Sequence, residues 1–155
     1  MILNLTQHAA TDDQIAAGVV NLLPEPRARL QELLSVPEDD LRSPILGNHL
    51  DIRAMEICRT IWPIVCDYTA IRVEELASLK AEGNRAALGE LYGRPLLQAM
   101  VGGMPPLVDR LVRELKRAGV EPLYALTGRA SKEEALPDGT TRKTSVFRHV
   151  GFIPA

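Results

Sequence analysis

Aromatic residues are scarce in this chain: Phe, Trp and Tyr together make up 4% of its 155 residues. A protein that stacks successive bases of a single strand needs a platform of such rings, so that class is disfavoured. A basic excess is also missing, since 18 Lys and Arg face 20 Asp and Glu, for a formal net charge of -2. Bulk electrostatic attraction to duplex nucleic acid or to an anionic membrane is therefore not expected. Apolar runs are only a few residues long, far below the ~20 that a membrane helix requires. The opening Met1-Ile2-Leu3-Asn4 has no basic n-region, which argues against a secretory leader and for a reducing, cytoplasmic setting. Cysteine is limited to Cys58 and Cys66, both inside an apolar stretch with no paired His nearby. They read as buried, reduced thiols rather than zinc ligands or a disulfide framework. The three His residues, His8, His49 and His149, have no metal-ligand spacing, and neither G-x-S-x-G nor H-E-x-x-H occurs. No metal or other cofactor is expected.

What remains is an ordinary globular composition, 46% apolar and 25% charged, sized for one domain with a core of its own. Ile2-Leu3-Asn4-Leu5-Thr6 is a short strand signal. Thr11-Asp12-Asp13-Gln14 matches a capping box, with two acids suited to the positive end of a helix dipole. The next helix is expected to begin near Pro24 or Pro26, followed by a loop over Pro37 to Pro44. Leu50, Ala54, Ile57 and Ile61 are spaced for a helix from Asn48 to Trp62, which Pro63 should end or kink. A further helical segment runs from about Tyr68 to Ala81, and a turn-rich stretch leads to Pro95.

The last third is the most legible. Leu96 to Val101 reads as a buried strand feeding Gly102-Gly103, and Pro105-Pro106 starts an amphipathic helix that Gly119 closes. Val120 to Thr127 is the next strand, so a βαβ unit with parallel strands and a right-handed crossover is predicted. Pro137-Asp138-Gly139 signals a turn, and Thr140 to Phe152 reads as a strand returning in a hairpin. The expectation is a single Rossmann-like, three-layer α/β domain over residues 1–155. It has a mainly parallel sheet, a C-terminal β-hairpin and a helical insertion at about 41–93. Core strands are placed at 2–6, 96–101 and 121–127, with the hairpin strand at 140–149. Core residues would include Leu3, Leu5, Leu97, Val101, Leu111, Leu115, Leu123, Ala125 and Val146.

Three polar constellations compete with bland alternatives. In the loop after the first strand, Gln7, His8 and Thr11 could form a ligand rim with His8 as donor or proton shuttle, or could merely bond and cap their own loop. Gly102-Gly103 could bring backbone N–H groups to a phosphate at a helix N-terminus, although Pro105 and Pro106 remove two donors. Arg129, Lys132, Arg142, Lys143, Arg148 and His149 form a basic hairpin that could line an anion site or guard an exposed sheet edge.

The opening strand with His8-Ala9-Ala10-Thr11 and Gln14, the block Pro122 to Arg129, and the terminal Lys143 to Phe152 together resemble small standalone CARF-type proteins of type III CRISPR antiviral defence, some of them ring nucleases. The opening Leu-Thr-Gln-His-Ala-Ala-Thr is also similar to that of uncharacterised bacterial and phage proteins. The CARF resemblance implies a homodimer that binds a cyclic oligoadenylate across its two-fold axis. It further implies slow, metal-independent cleavage in which a ribose 2′-oxygen attacks the adjacent phosphate. It assigns catalysis to His8 and Lys143, and ligand binding to Gln7, Thr11, Gly102, Gly103, Thr127, Arg129 and Arg148. A non-enzymatic phage or mobile-element protein that inhibits a host defence complex is the alternative. A small-nucleotide or sugar-phosphate enzyme on the same core is a third.

Overall fold

The structure, a computed structural model, describes residues 1–135 and 141–155. Eleven elements follow one another along these residues. Strand β1 (Ile2–Leu5) leads to the short helix α1 (Asp12–Ala16), strand β2 (Val19–Asn21) and helix α2 (Pro24–Leu34). Helices α3 (Glu38–Leu41), α4 (Leu46–Ala81) and α5 (Arg85–Gly93) precede β3 (Leu97–Val101) and α6 (Pro105–Arg117). The long strands β4 (Val120–Ala135) and β5 (Thr141–Pro154) finish the chain.

The strands form one sheet in the order β2-β1-β3-β4-β5, parallel except for β5, which runs antiparallel to β4. This is the α/β architecture expected from the sequence, with the βαβ unit at β3-α6-β4 and the terminal hairpin in place. Successive strand residues point to opposite faces, so Leu3, Leu5, Leu97, Ala99 and Val101 share one face and Ile2 and Met100 the other. The first face carries the large core, where the strands meet Leu30 and Leu34 of α2, Ile57 and Ile61 of α4, and Leu111 and Leu115 of α6. A smaller cluster of Ile2, Ala10, Val19, Met100 and Leu123 lies on the other face, beside α1.

Several expectations change. Pro63 does not end the middle helix: α4 is continuous for 36 residues, ~54 Å, with Pro63 inside it. Burial of Leu50, Ala54, Ile57, Ile61 and Val65 along one face outweighs the loss of one backbone hydrogen bond. The middle third is therefore a wall of the core and not an appendage to it. β2 has only three residues and no sequence signal of its own, and α3 and α5 occupy stretches read as loop. Seven of the nine anticipated core residues are buried. Ala125 is half-buried against the smaller cluster, and Val146 lies outside the residues whose side chains are described, as does the turn at Pro137-Asp138-Gly139. Neither cysteine is fully buried: Cys58 is half-buried and Cys66 is exposed, because it faces away from the core side of α4.

No helix among the described residues is long and apolar enough to cross a membrane.

Candidate functional site

From β1 the chain crosses through α1 to β2 on one side, while α6 carries it from β3 to β4 on the other. Loops leaving neighbouring strands in opposite directions open a crevice at their C-terminal ends, the place where open α/β sheets bind ligands. A cleft of about 400 Å³ sits there. Its β1 side is Gln7, His8 and Thr11, and its β3 side is Gly102 and Gly103. Tyr124 and Ala125 of β4 close the third side.

The β1 loop is built on one buried amide. Asn4 is 0% exposed, and both ends of its side chain are saturated. Its Nδ2 donates to the His8 carbonyl at 2.8 Å and to Asn21 Oδ1 at 2.7 Å. Its Oδ1 accepts from the Thr6 N–H at 3.0 Å and lies 2.8 Å from the Thr6 hydroxyl. Asn21 Oδ1 also accepts from the Ala10 N–H at 3.0 Å, which ties β2 to the far end of the loop. The Gln7 carbonyl accepts from Gln31 Nε2 at 3.1 Å, and Gln7 Nε2 donates to the Leu34 carbonyl at 3.3 Å. Both halves of the capping box form: Gln14 Oε1 accepts from the Thr11 N–H at 3.0 Å, and Thr11 Oγ1 accepts from the Gln14 N–H. With its carbonyls held by Asn4, Gln31 and Arg27, this loop leaves the His8 ring and the Gln7 and Thr11 side chains exposed at the cleft.

The β3 side is built from backbone. Gly103 has φ +138, a conformation that side chains rarely adopt. A Cβ on Gly102 would meet Thr6 Cγ2 at 3.3 Å, so the two loops touch across the cleft floor. Leu107 and Val108 N–H groups turn back onto the Met104 carbonyl, and Pro105 and Pro106 have none. Gly103 and Met104 keep N–H groups that no loop or cap hydrogen bond takes up among the described residues.

The structure thus brings five of the anticipated site residues together: Gln7, His8, Thr11, Gly102 and Gly103. Thr127, Arg129 and Arg148 sit further along the hairpin and do not line the cleft. Arg148 lies 3.7 Å from Asp13 of α1, and Arg129 is also engaged. The Lys143 side chain falls outside the described residues; its backbone pairs with Glu133. Past the irregularity at Leu126/Thr127, the His149 ring rests on Phe152 at 4.4 Å between centroids. Its nitrogens have no hydrogen-bond partner among the described residues.

Sequence reasoning missed Asn4, Asn21 and Tyr124. A polar residue inside an apolar strand was the available signal for Asn4. For Tyr124 the signal needed the β3–β4 register, which sets Tyr124 opposite Val101 at the mouth of the cleft.

His8 is the one imidazole among the cleft-lining residues named. Amides, hydroxyls, backbone N–H groups and one phenol ring surround it. Such a set can hold a base or a phosphate through directed hydrogen bonds, and it carries little charge of its own.

A family model described as the uncharacterized protein MJ1673 family matches residues 52–153. It covers the β3 and β4 sides of the cleft and leaves the β1 loop outside the match. No curated protein and no solved structure matches the chain.

Proposed function

We propose that the chain, which belongs to the uncharacterized protein MJ1673 family, is a cytoplasmic protein binding a cyclic oligoadenylate in type III CRISPR-linked defence. One observation carries the reading: the cleft lies where the strand order reverses, between β1 and β3, and it joins His8 and Thr11 to Gly102 and Gly103. At about 400 Å³ the cleft is near the lower end of the ~300–1,000 Å³ usual for ligand sites. That suits one nucleotide unit. A ring of several units needs a second cleft facing the first, so the ligand would lie across a homodimer axis. Within each cleft, Gly103 and Met104 N–H groups donate to a phosphate, Gln7 and Thr11 to base or sugar, and Tyr124 offers a face for stacking.

Cleavage would follow slowly in the same site. The ribose 2′-hydroxyl gives its proton to His8 as its oxygen attacks the adjacent phosphorus; the bond from phosphorus to the 5′-oxygen of the next nucleotide breaks, and that oxygen takes a proton from water. The products carry a 2′,3′-cyclic phosphate and a free 5′-hydroxyl. The Gly103 and Met104 N–H groups stabilise the added negative charge.

Isothermal titration with cyclic tetra- and hexa-adenylate tests the reading, with gel analysis of the recovered ligand. Binding to the wild type, weakened about tenfold or more by His8→Ala, is the expected result. No heat with either ring, and no cleavage, would sink it. Ring cleavage that survives His8→Ala would remove His8 from the chemistry and leave binding intact.

A further inference from the structure

Helix α4 carries two apolar seams, and the core uses one. The buried seam is Leu50, Ala54, Ile57, Ile61 and Val65. On the solvent side, alternating steps of three and four residues pick out Ile52, Met55, Arg59, Trp62, Cys66, Thr69, Val73 and Leu76. Ile52 is 59% exposed, Met55 53%, Trp62 51% and Val73 59%. Scattered surface apolar residues are ordinary, but a 3-4 repeat held for more than three heptads is the pattern of a helix that meets another helix.

We infer that this seam pairs two copies of the chain, α4 against α4, antiparallel about a two-fold axis beside Pro63. The argument rests on self-complementarity. With the axis there, Ile52 faces Leu76 of the second copy, Met55 faces Val73, Arg59 faces Thr69 and Trp62 faces Cys66. The same four contacts recur by symmetry, as an isologous interface requires. The two polar members meet each other and the apolar members meet each other. A parallel pairing would instead set Arg59 against Arg59, two cations in one seam position. Glu56, 2.6 Å from Arg59 Nη1, already balances that charge within each copy.

The size is adequate. From Ile52 to Leu76 the helix runs ~36 Å, and half the girdle of a helix ~10 Å across is ~16 Å, so the strip offers up to about 570 Å² per copy, about 1,100 Å² for the pair. A specific interface needs to clear about 1,000 Å² in total. This surface is separate from the cleft, and the pairing stands or falls without any ligand.

Sedimentation velocity on the ligand-free full chain at about 100 μM should give a dimer. Trp62→Glu and Val73→Glu should each shift it at least tenfold toward monomer with unchanged circular dichroism, since both side chains lie outside the core. Spin labels at Glu75→Cys in a Cys66→Ser background then read the direction. Cys58→Ala in the same background leaves position 75 as the single labelled site. Antiparallel pairing predicts a separation of roughly 35 Å, and parallel pairing roughly 15 Å. A monomer at 100 μM, a dimer indifferent to both charge variants, or labels at the shorter distance would each overturn the proposal.

Discussion

The two loops that form the cleft are made rigid by opposite means. The β1 loop is held by side chains: one saturated amide, Asn4, fixes His8 and Thr6, and Asn21 and Gln31 fix the rest. The β3 loop is held by the lack of side chains: Gly103 takes a backbone conformation others avoid, and Gly102 lets Thr6 approach. The lesson is that side-chain tethering leaves the loop's own residues free to vary in chemistry, whereas backbone shaping fixes residue identity.

The largest test of this contrast is Asn4→Ala. It removes a fully buried residue and leaves the His8 carbonyl, the Thr6 N–H and Asn21 short of partners. About 2–4 kcal/mol of stability should be lost in urea unfolding, on typical costs of buried unsatisfied groups. A loss below about 1 kcal/mol would mean that the loop does not depend on the amide. Gly103→Ala comes next. Its Cβ would meet only ordinary contacts with Leu34 and Val108, so the cost of about 1–3 kcal/mol comes from φ alone. Gly103→Asn should cost at least as much, because its tolerance of positive φ is confined to the left-handed region near +60, far from this φ of +138; a clearly smaller cost would argue against the φ account.

A smaller effect is expected from pH. Burial and Glu114 raise the Cys58 thiol from 9.0 to about 11. The unfolded chain therefore loses this proton first. The stabilising contribution is full below pH 9 and is lost as pH climbs toward 11. Cys58→Ala should flatten the stability profile across that window. The smallest effect is Gly102→Ala, whose Cβ would press on Thr6 Cγ2 at 3.3 Å. Thr6→Ser deletes that methyl and keeps the hydroxyl beside Asn4. The double variant should recover roughly 0.5 kcal/mol over the sum of the singles.

What the sequence revealed was local. The Thr11–Gln14 cap, the glycine turn after β3 and the βαβ unit each depend on residues within one or two elements, and each is found. Site residues on those loops, Gln7, His8, Thr11, Gly102 and Gly103, meet because two parallel strands end side by side. Thr127, Arg129 and Arg148 depend on how far β4 and β5 run past their neighbours, and no short-range pattern encodes strand length. The unbroken α4 was hidden for a related reason, because the rule that proline stops a helix is local and the core that overrides it is not. β2, at three residues, is too short to show any period.

The sheet has two unequal borders. On one side it ends in β2, three residues that offer little for another strand to bond. On the other it ends in β5, fourteen residues long, whose outer edge has no neighbouring strand among the described residues. A border of that length is a template for runaway chain-to-chain association. In sequence it carries Arg142, Lys143 and Arg148, and like charges brought edge to edge repel. High salt should weaken this guard, so turbidity on prolonged storage should rise with ionic strength, and sooner if those three residues are neutralised.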